Sequence, residues 1–222
     1  MNLALFGGTF DPIHAGHLIA ARRAARRFHL DRVLFVPSGN PPHKRRNSVT
    51  PFFHRYAMVS LACAGQARFV PSLLEAPAAD GRLQYSLDTA RAIKRKLGRG
   101  DHLFFLLGVD AFLDVPHWKA PHHLLDLVDF IVVSRPGFSL EKILQVIPRG
   151  LLQRMPQKQG PEEIALQRTK IHVLEGVNVP VASSEIRRAI RQGRKVTGLI
   201  PRPVEEYIMK EGIYSQGGKP TR

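Results

Sequence analysis

The stretch LALFGGTFDPIHAGH, residues 3–17, decides how this chain begins to fold. The run Leu3 to Phe6 is short and apolar, as a buried strand is. Residues 18–28 are rich in Ala, Arg and Leu and contain no Pro or Gly, as a helix is. Gly7 and Gly8 follow the strand-like run directly. The stretch therefore predicts a strand, a glycine turn and a helix start, in that order.

The turn between this strand and this helix carries groups that suit a polyphosphate. Gly7 and Gly8 let the backbone approach an anion closely, and free N–H groups of the first helical turn would point at it. His14 and His17 are three residues apart, so both rings can face one side and donate an N–H to a phosphate oxygen. A glycine turn or a histidine pair alone is a weak signal, but the whole string predicts a phosphate site.

Strand-like and helical patterns alternate through the first two thirds of the chain. This alternation predicts an α/β fold, a Rossmann-like doubly wound parallel sheet with helices on both faces and a small C-terminal helical part. Ligands of such sheets bind at the carboxyl ends of the strands. The patterns are strand-like runs at residues 33–36, 103–107 and 130–133, and helical runs at residues 52–64 and 86–97.

The length of 222 residues is suited to a single domain spanning residues 1–222. Residues 153–170 are polar and predict a flexible insertion or a solvent-facing helix, and residues 215–222 predict a frayed tail. No apolar run reaches the roughly 18 residues of a membrane span, and the start lacks a signal-peptide pattern, so we expect a cytoplasmic protein with no membrane partner. The single cysteine, Cys63, is expected to fill core space.

The net charge is +15, from 33 Lys and Arg against 18 Asp and Glu. Such an excess favours polyanionic partners. The basic residues come in short groups such as Arg22-Arg23 and Lys44-Arg45-Arg46, none as long as a nucleic-acid-binding arm. The candidate partners are nucleic acid, an anionic membrane face and small phosphorylated molecules, and any one basic pair is more often part of a solvated helix face than of a binding site.

A second helix start lies in VASSEIR, residues 181–187. A serine before a helix is a common N-cap, which alone indicates only structure. Arg187 follows Ser184 by one turn, so its guanidinium can reach an anion that the helix start faces. Together with the two histidines upstream, the motif predicts a second set of groups that bind the same phosphates.

GGTFDPIHAGH and SSEIR together resemble the paired motifs of the bacterial nicotinate-mononucleotide adenylyltransferases, within the nucleotidylyltransferase superfamily. In this sequence Ala182 stands where that family usually has its first serine, Ser184 replaces a threonine, and Gln84-Tyr85-Ser86 replaces a common SYT. The resemblance extends over nearly the whole chain, through PSGNPPHK (37–44), GVDAFLDVPHW (108–118), SRPG (134–137) and EGIY (211–214).

The resemblance implies an enzyme of NAD biosynthesis that joins ATP and nicotinate mononucleotide. No nucleophile set is needed, because a phosphate monoester with a second pKa of about 6 can attack the α-phosphorus of ATP directly. His14, His17 and Arg187 are the expected catalytic residues, with Mg²⁺ held mainly by the ATP phosphates. The sequence does not determine the oligomeric state, and a homo-oligomer is one of the alternatives.

The resemblance also implies two sets of binding residues. Lys44 is a partner for the mononucleotide phosphate or simply an exposed lysine, Trp118 stacks on the nicotinate ring or packs in the core, and Asp110 contacts nucleotide or caps a helix. Backbone N–H groups near Trp118 would receive the nicotinate carboxylate, which favours nicotinate over nicotinamide. The expected ATP site is Gly8, Thr9, Phe10, His14, His17, Gly108, Asp110, Ser183, Ser184 and Arg187, and the expected mononucleotide site is Lys44, Ser86, Trp118 and Arg135.

Two other functions share some of these features. A pantetheine-phosphate type adenylyltransferase has the HxGH turn, but its C-terminal motif carries a lysine or arginine at a different spacing. An RNA-binding module would use the charge and the loose likeness to the HIGH motif of class I aminoacyl-tRNA synthetases, but no KMSKS-like loop and no basic run interleaved with aromatics is present. His117, His122 and His123 do not predict a metal site, since the chain has one cysteine and no HExxH.

Overall fold

Seven strands form one sheet in the computed structural model, which describes residues 1–39, 49–134, 140–152, 163–175 and 181–215. Across the sheet the order of the strands, numbered along the chain, is β3-β2-β1-β4-β5-β7-β6. Neighbouring strands are parallel except the edge pair β6 and β7, which is antiparallel. The strands are β1 (Asn2–Gly8), β2 (Arg32–Pro37), β3 (Phe69–Pro71), β4 (His102–Gly108), β5 (Asp129–Val133), β6 (Glu163–Ala165) and β7 (Lys170–Leu174).

Helices connect the strands and cover both faces of the sheet. The ranges are close to the helical patterns of the sequence, with ends that differ by up to three residues. The helices are α1 (Ala15–Arg27), α2 (Phe52–Cys63), α3 (Ser86–Lys94), α4 (Val109–Leu113), α5 (Pro121–Leu125), α6 (Leu140–Val146), α7 (Ser183–Arg191) and α8 (Arg202–Lys210).

The alternation of side chains along β1 divides the core in two. Ala4 and Phe6 point to one face, where α1, α2, α7 and α8 pack, and Leu3 and Leu5 point to the other, where α3 to α6 pack. Both faces of the central strands are thus buried. This is the doubly wound arrangement that the sequence predicts, and the C-terminal helices form part of its first face.

The carboxyl ends of the central strands meet at one edge of the sheet. Gly8 at the end of β1 is in register with Pro37 at the end of β2, and Gly108 at the end of β4 with Val133 at the end of β5. The turns that follow β1, β2 and β4 therefore lie side by side. Both phosphate-directed motifs of the sequence are found at this edge.

The prediction for residues 153–170 is wrong where the structure describes them. Glu163–Ala165 is strand β6, paired antiparallel with β7, and Ile164 and Leu166 are buried in the second core. The segment is polar on average, but its apolar residues alternate, so one face of an edge strand is buried. The prediction for residues 153–162 and that for residues 216–222 lie outside the described residues.

Cys63 lies buried at the end of α2, in agreement with its predicted core role. Burial raises the pKa of its thiol to about 12, so the group stays neutral. Within the described ranges, no helix is both long and apolar enough to cross a bilayer.

Leu106 provides a test of the first core, because its side chain on β4 is fully buried. We expect Leu106→Ala to lower the free energy of unfolding by about 2–5 kcal/mol, since the cavity cannot be refilled. Urea unfolding measures the change. The matched substitution Leu144→Ala, at an exposed position of α6, should change it by less than about 0.5 kcal/mol; equal losses would contradict this packing.

Candidate active site

The turn after β1 is tightly packed around Gly8. A Cβ on Gly8 would lie 3.0 Å from the ring of Phe10, and Phe10 itself is buried with a left-handed backbone (φ 49°). The Phe10 ring packs edge-on against Phe6 and His17, with ring centroids 5.5 and 5.0 Å apart. The Phe10 ring therefore belongs to the core, and only its backbone remains available at the turn.

His14 and His17 stack on each other at the start of α1. Their ring centroids are 3.7 Å apart with planes 28° from parallel. The backbone N–H of His14 donates to Nδ1 of His17 at 3.2 Å. Because that nitrogen accepts a hydrogen bond, the neutral His17 ring carries its proton on Nε2, which makes Nε2–H a donor.

Both imidazoles are neutral near pH 7. Burial lowers the pKa of His14 to about 4. Burial, followed by the proximity of His14, lowers the pKa of His17 well below its ordinary value. Nδ1 of His14 is buried and has no hydrogen-bond partner among the described residues, and a role in binding is one explanation for such an unpaired atom. The two rings can thus donate hydrogen bonds without bringing positive charge.

Gly16 allows α1 and the chain before α7 to approach this histidine pair. A Cβ there would lie 3.0 Å from the His14 ring and 3.4 Å from Cγ1 of Val181. The expectation of free N–H groups in the first turn of α1 is met only in part, because Ala15 N–H donates to the Leu199 carbonyl at 2.8 Å. The N–H of Gly16 has no acceptor among the described residues, so it remains for a ligand.

The start of α7 is docked on the same turn, as predicted from the two motifs. Nη1 of Arg187 donates to the Asp11 carbonyl at 2.6 Å. The hydroxyl of Ser183 donates to the Pro12 carbonyl at 3.0 Å. Two helix starts that are about 170 residues apart in the chain are therefore neighbours in space.

The predicted serine N-cap is wrong. Helix α7 begins at Ser183, its N-cap is Ala182, and the carboxylate of Glu185 accepts the Ala182 N–H at 3.3 Å. The Ser183 hydroxyl donates its hydrogen bond to the Pro12 carbonyl, while Ser184 is exposed in the first turn of α7. The backbone N–H groups of the first turn of α7, rather than the Ser183 hydroxyl, are therefore the groups that can bind an anion.

Asp11, inside the motif but not among the predicted site residues, is the buried acid at this junction and is 3% exposed. Its Oδ1 accepts the Tyr214 hydroxyl at 2.5 Å. Its Oδ2 accepts the Thr50 N–H at 3.3 Å and lies 3.9 Å from Nη1 of Arg187. One carboxylate thus links the turn after β1 to the start of α2, to α7 and to the end of the described chain.

Arg55 is a further residue that the sequence analysis missed. It is 1% exposed, and its guanidinium donates to the carbonyls of Thr9, Ser38 and Thr50, each at 2.8 Å. Burial lowers its pKa, which the nearby charge of Asp11 partly offsets. A signal was present in the sequence, because Arg55 falls on the buried stripe of α2 with Phe52, Met58, Val59 and Ala62.

A cavity of about 630 Å³ opens beside the turn, on the second face of the sheet. Gly8 and Thr9 line it, so it adjoins the histidine turn, and the predicted residues Ser86 and Trp118 line it too. The wall is mostly apolar with a few polar groups, as in small-molecule sites. The other lining residues are Gly7, Ser38, Gly39, Glu75, Gln84, Tyr85, Leu87, Phe105, Leu107, Ala111, Asp114, His117, Lys119 and Leu124.

The start of α3 faces this cavity. Ser86 is the first residue of α3, and the N–H groups of Ser86 and Leu87 have no acceptor among the described residues. Nζ of Lys119 lies 4.2 Å from the Tyr85 ring centroid and 3.3 Å from the Asp88 carboxylate. Lys119 follows Trp118 directly, so these contacts hold the chain next to Trp118 against the start of α3. N–H groups without a protein acceptor thus belong to residues that line the same cavity as an aromatic side chain.

Trp118 and Glu75 mark two parts of the cavity wall. Trp118 is half-buried, with its ring edge-on to Phe105 at 5.9 Å, so it both packs on the core and lines the cavity. Glu75 is buried and accepts the Thr89 hydroxyl at 3.1 Å, and burial raises the pKa of its carboxyl to about 7. A Cβ on Gly39 would lie 2.1 Å from the Glu75 carbonyl, so only glycine fits there.

The remaining predicted residues lie apart from the cavity. Gly108 is the exposed N-cap of α4 at the end of β4, and Asp110 is exposed in the first turn of that helix. Lys44 and Arg135 lie outside the described residues. The described structure therefore brings together His14, His17, Ser183 and Arg187 at one junction, and Ser86 and Trp118 in the adjoining cavity.

Comparison with known proteins agrees with this fold. The family model described as cytidylyltransferase-like matches residues 5–189. A relative from Solibacter usitatus, named "Probable nicotinate-nucleotide adenylyltransferase", is 42% identical over 97% of this chain and 100% of its own length. A Thermus thermophilus relative with the same name is 40% identical over 96% of this chain and 100% of its own length.

Solved structures share the fold. A Plasmodium falciparum nicotinic acid mononucleotide adenylyltransferase complexed with NaAD has a TM-score of 0.72 at 19% identity, covering 96% of this chain and 97% of its own. The fold and the relatives are those of a nucleotidyltransferase. The chain belongs to the cytidylyltransferase-like family and, within it, to the nicotinate-nucleotide adenylyltransferases.

The low pKa of His14 predicts a loss of stability in mild acid. Its pKa is about 4 in the folded protein and 6.5 ordinarily, so the unfolded chain binds more protons between these values and falling pH favours unfolding. We expect wild type to lose about 2 kcal/mol more unfolding free energy than His14→Asn between pH 7 and pH 5, as measured by urea unfolding. Parallel curves for the two proteins would show that His14 titrates normally.

Proposed function

We propose that this protein transfers the adenylyl group of ATP to nicotinate mononucleotide, forming nicotinate adenine dinucleotide and pyrophosphate in NAD biosynthesis. One observation carries the proposal. Two helix starts, with His14 and His17 on one and Arg187 on the other, meet at Asp11 and Pro12 beside a cavity that shares Gly8 and Thr9 with the same turn. The relatives' names support the choice of substrates.

In this proposal the triphosphate of ATP lies across the junction of α1 and α7. His17 offers Nε2–H, Gly16 offers its backbone N–H, and Arg187 keeps the donors that do not contact Asp11. Ser184 and the backbone N–H groups in the first turn of α7 provide the remaining contacts to the triphosphate. Gly108 and Asp110, at the end of β4, are assigned to the adenosine.

The acceptor mononucleotide occupies the cavity. Trp118 provides a surface for the pyridine ring, and the N–H groups of Ser86 and Leu87 at the start of α3 receive the nicotinate carboxylate. Nicotinamide carries an NH₂ group in place of one carboxylate oxygen. This group cannot accept a hydrogen bond from the backbone N–H groups, so nicotinamide mononucleotide should bind less well. Lys44, as a contact for the mononucleotide phosphate, and Arg135, as a further substrate-binding residue, belong to the same proposal.

Catalysis then consists of alignment and charge stabilisation. An oxygen of the mononucleotide phosphate attacks the α-phosphorus while the bond to pyrophosphate breaks, so the cavity and the junction must hold the two substrates in line. Negative charge grows on the leaving pyrophosphate. Neutral histidine donors and the Arg187 cation are placed to stabilise it, which is the main contribution a protein can make to phosphoryl-type transfer.

Mg²⁺ is proposed to enter with ATP and to be held mainly by phosphate oxygens, where it neutralises charge. The residues fit this arrangement. Asp11, the buried carboxylate at the junction, is engaged by Tyr214, Thr50 and Arg187 and so does not act as a ligand. We also propose that the protein acts in the cytoplasm, where ATP and the mononucleotide are available.

Product analysis tests the substrates. We expect incubation with ATP, Mg²⁺ and nicotinate mononucleotide to give nicotinate adenine dinucleotide, identified by mass, because the acceptor carboxylate meets open N–H groups. Nicotinamide mononucleotide should react with a kcat/KM lower by about 10-fold or more. 4′-Phosphopantetheine serves as the control acceptor. Dinucleotide formation only from another acceptor would overturn the assignment.

His17→Ala tests the transition-state role of the histidine pair. Loss of a donor aimed at developing charge costs about 3 kcal/mol, so kcat should fall by about 100-fold while the Kd for ATP changes much less. Steady-state kinetics and calorimetry give the two quantities. His102→Ala, at an exposed position at the opposite end of β4, is the control. Equal losses in kcat and in ATP affinity would refute the role.

A further inference from the structure

The closing motif EGIY of the sequence ends in a residue that reaches the nucleotide junction. Tyr214 lies just beyond α8 in a left-handed backbone conformation (φ 70°), and its hydroxyl donates to Oδ1 of Asp11 at 2.5 Å. Burial, together with the Asp11 carboxylate, raises the pKa of the phenol, so the hydroxyl keeps its proton. A side chain 203 positions away in the chain thus donates into the turn that bears the histidines.

The two oxygens of Asp11 have different partners. Oδ1 is held by Tyr214, whereas Oδ2 accepts the Thr50 N–H and lies 3.9 Å from Nη1 of Arg187. That nitrogen donates instead to the backbone carbonyl of Asp11 at 2.6 Å. The carboxylate and the guanidinium are therefore close without forming a direct bidentate pair.

We propose that Tyr214 is a positioning residue of the nucleotide site, whose hydroxyl holds the Asp11 carboxylate in an orientation that leaves Arg187 free to bind the phosphates of ATP. This inference rests on the proposed function. It assigns a role in substrate binding to the final described turn of the chain, which lies next to the junction and does not line the acceptor cavity.

The physical reason lies in what Asp11 would do without this donor. A buried carboxylate oxygen that loses its hydrogen bond carries a large desolvation cost, so the carboxylate turns toward another donor within reach. Arg187 is a cationic donor within reach, since its Nη1 lies 3.9 Å from Oδ2, and a fork-to-fork pair of guanidinium and carboxylate is strong. Arg187 would then be neutralised and turned from the ligand. Tyr214 thus acts on ATP through Arg187, and the cavity is unaffected.

A double-mutant cycle tests this coupling. Tyr214→Phe, Arg187→Ala and the double variant are compared with wild type in steady-state kinetics, with ATP and the mononucleotide varied in turn. We expect Tyr214→Phe to lower kcat/KM for ATP by about 10-fold, the effect of one hydrogen bond to a charged group, and to change the KM for the mononucleotide by less than about twofold. In the Arg187→Ala background, Tyr214→Phe should cause no further loss.

Tyr207→Phe is the matched control. Tyr207 lies on α8, the helix that precedes Tyr214, and shares a hydrogen bond of 2.8 Å with His54 on α2, so the loss of this bond loosens α8 away from the junction. We expect it to lower the Tm as Tyr214→Phe does while leaving the ATP kinetics unchanged. Equal kinetic loss in both tyrosine variants, multiplying losses in the double variant, or unchanged kinetics in Tyr214→Phe would each overturn the proposal.

The test separates this inference from the proposed function. If wild type forms no dinucleotide from nicotinate mononucleotide, the substrate assignment fails, and calorimetric ATP binding across the same variants takes the place of kinetics. Weaker ATP binding in Tyr214→Phe that disappears in the Arg187→Ala background still supports the coupling. Unchanged ATP binding in Tyr214→Phe refutes it.

Discussion

The structure depends on how the loop after β1 satisfies its backbone carbonyls. This loop has left the sheet and has not yet entered α1, so the carbonyls of residues 9, 11 and 12 need donors from elsewhere. Arg55 of α2 supplies one to Thr9, and Arg187 and Ser183 of α7 supply the others to Asp11 and Pro12. Two of the three donor groups are cationic, so the contacts that fix the loop also place positive charge beside a turn suited to a polyphosphate. Folding and anion binding therefore use the same residues.

The central sheet separates the two halves of the proposed site. The junction of α1 and α7 lies on the first face, the apolar cavity lies on the second, and Gly8 and Thr9 at the end of β1 adjoin both. Reactants held on opposite sides of one strand end can meet over its glycines, where no side chain intervenes. The neutral histidine pair suits this position, because it donates hydrogen bonds without forming an ion pair with Asp11 that would compete with the ligand.

Local patterns predicted the central strands, the major helices and both phosphate-directed motifs, because a buried strand, a glycine turn and an amphipathic helix each leave a short-range signal. Strands β3, β6 and β7 were missed. Strands β3 and β6 have only three residues each, which carry little pattern and exist as strands only through their partners. The N-cap of α7 was misassigned to a serine because Glu185, three residues beyond Ala182, caps that helix instead. Asp11 and Tyr214 stood within recognised motifs, but no local rule joins residues 203 positions apart.

By itself the amino-acid sequence determined the class of fold and the chemistry at each helix start, because backbone geometry and side-chain spacing along one element are local properties. It also determined that Gly7 and Gly8 permit close approach of the backbone, since no other residue lacks a Cβ. Only the tertiary structure decided that Arg55 binds three carbonyls, that α7 docks on Asp11 and Pro12, and that Tyr214 reaches the same carboxylate. These contacts join segments that are remote in the chain, and their partners are selected by burial: a charged or polar group removed from water must bind whatever complementary group the packing of the sheet and helices brings within reach.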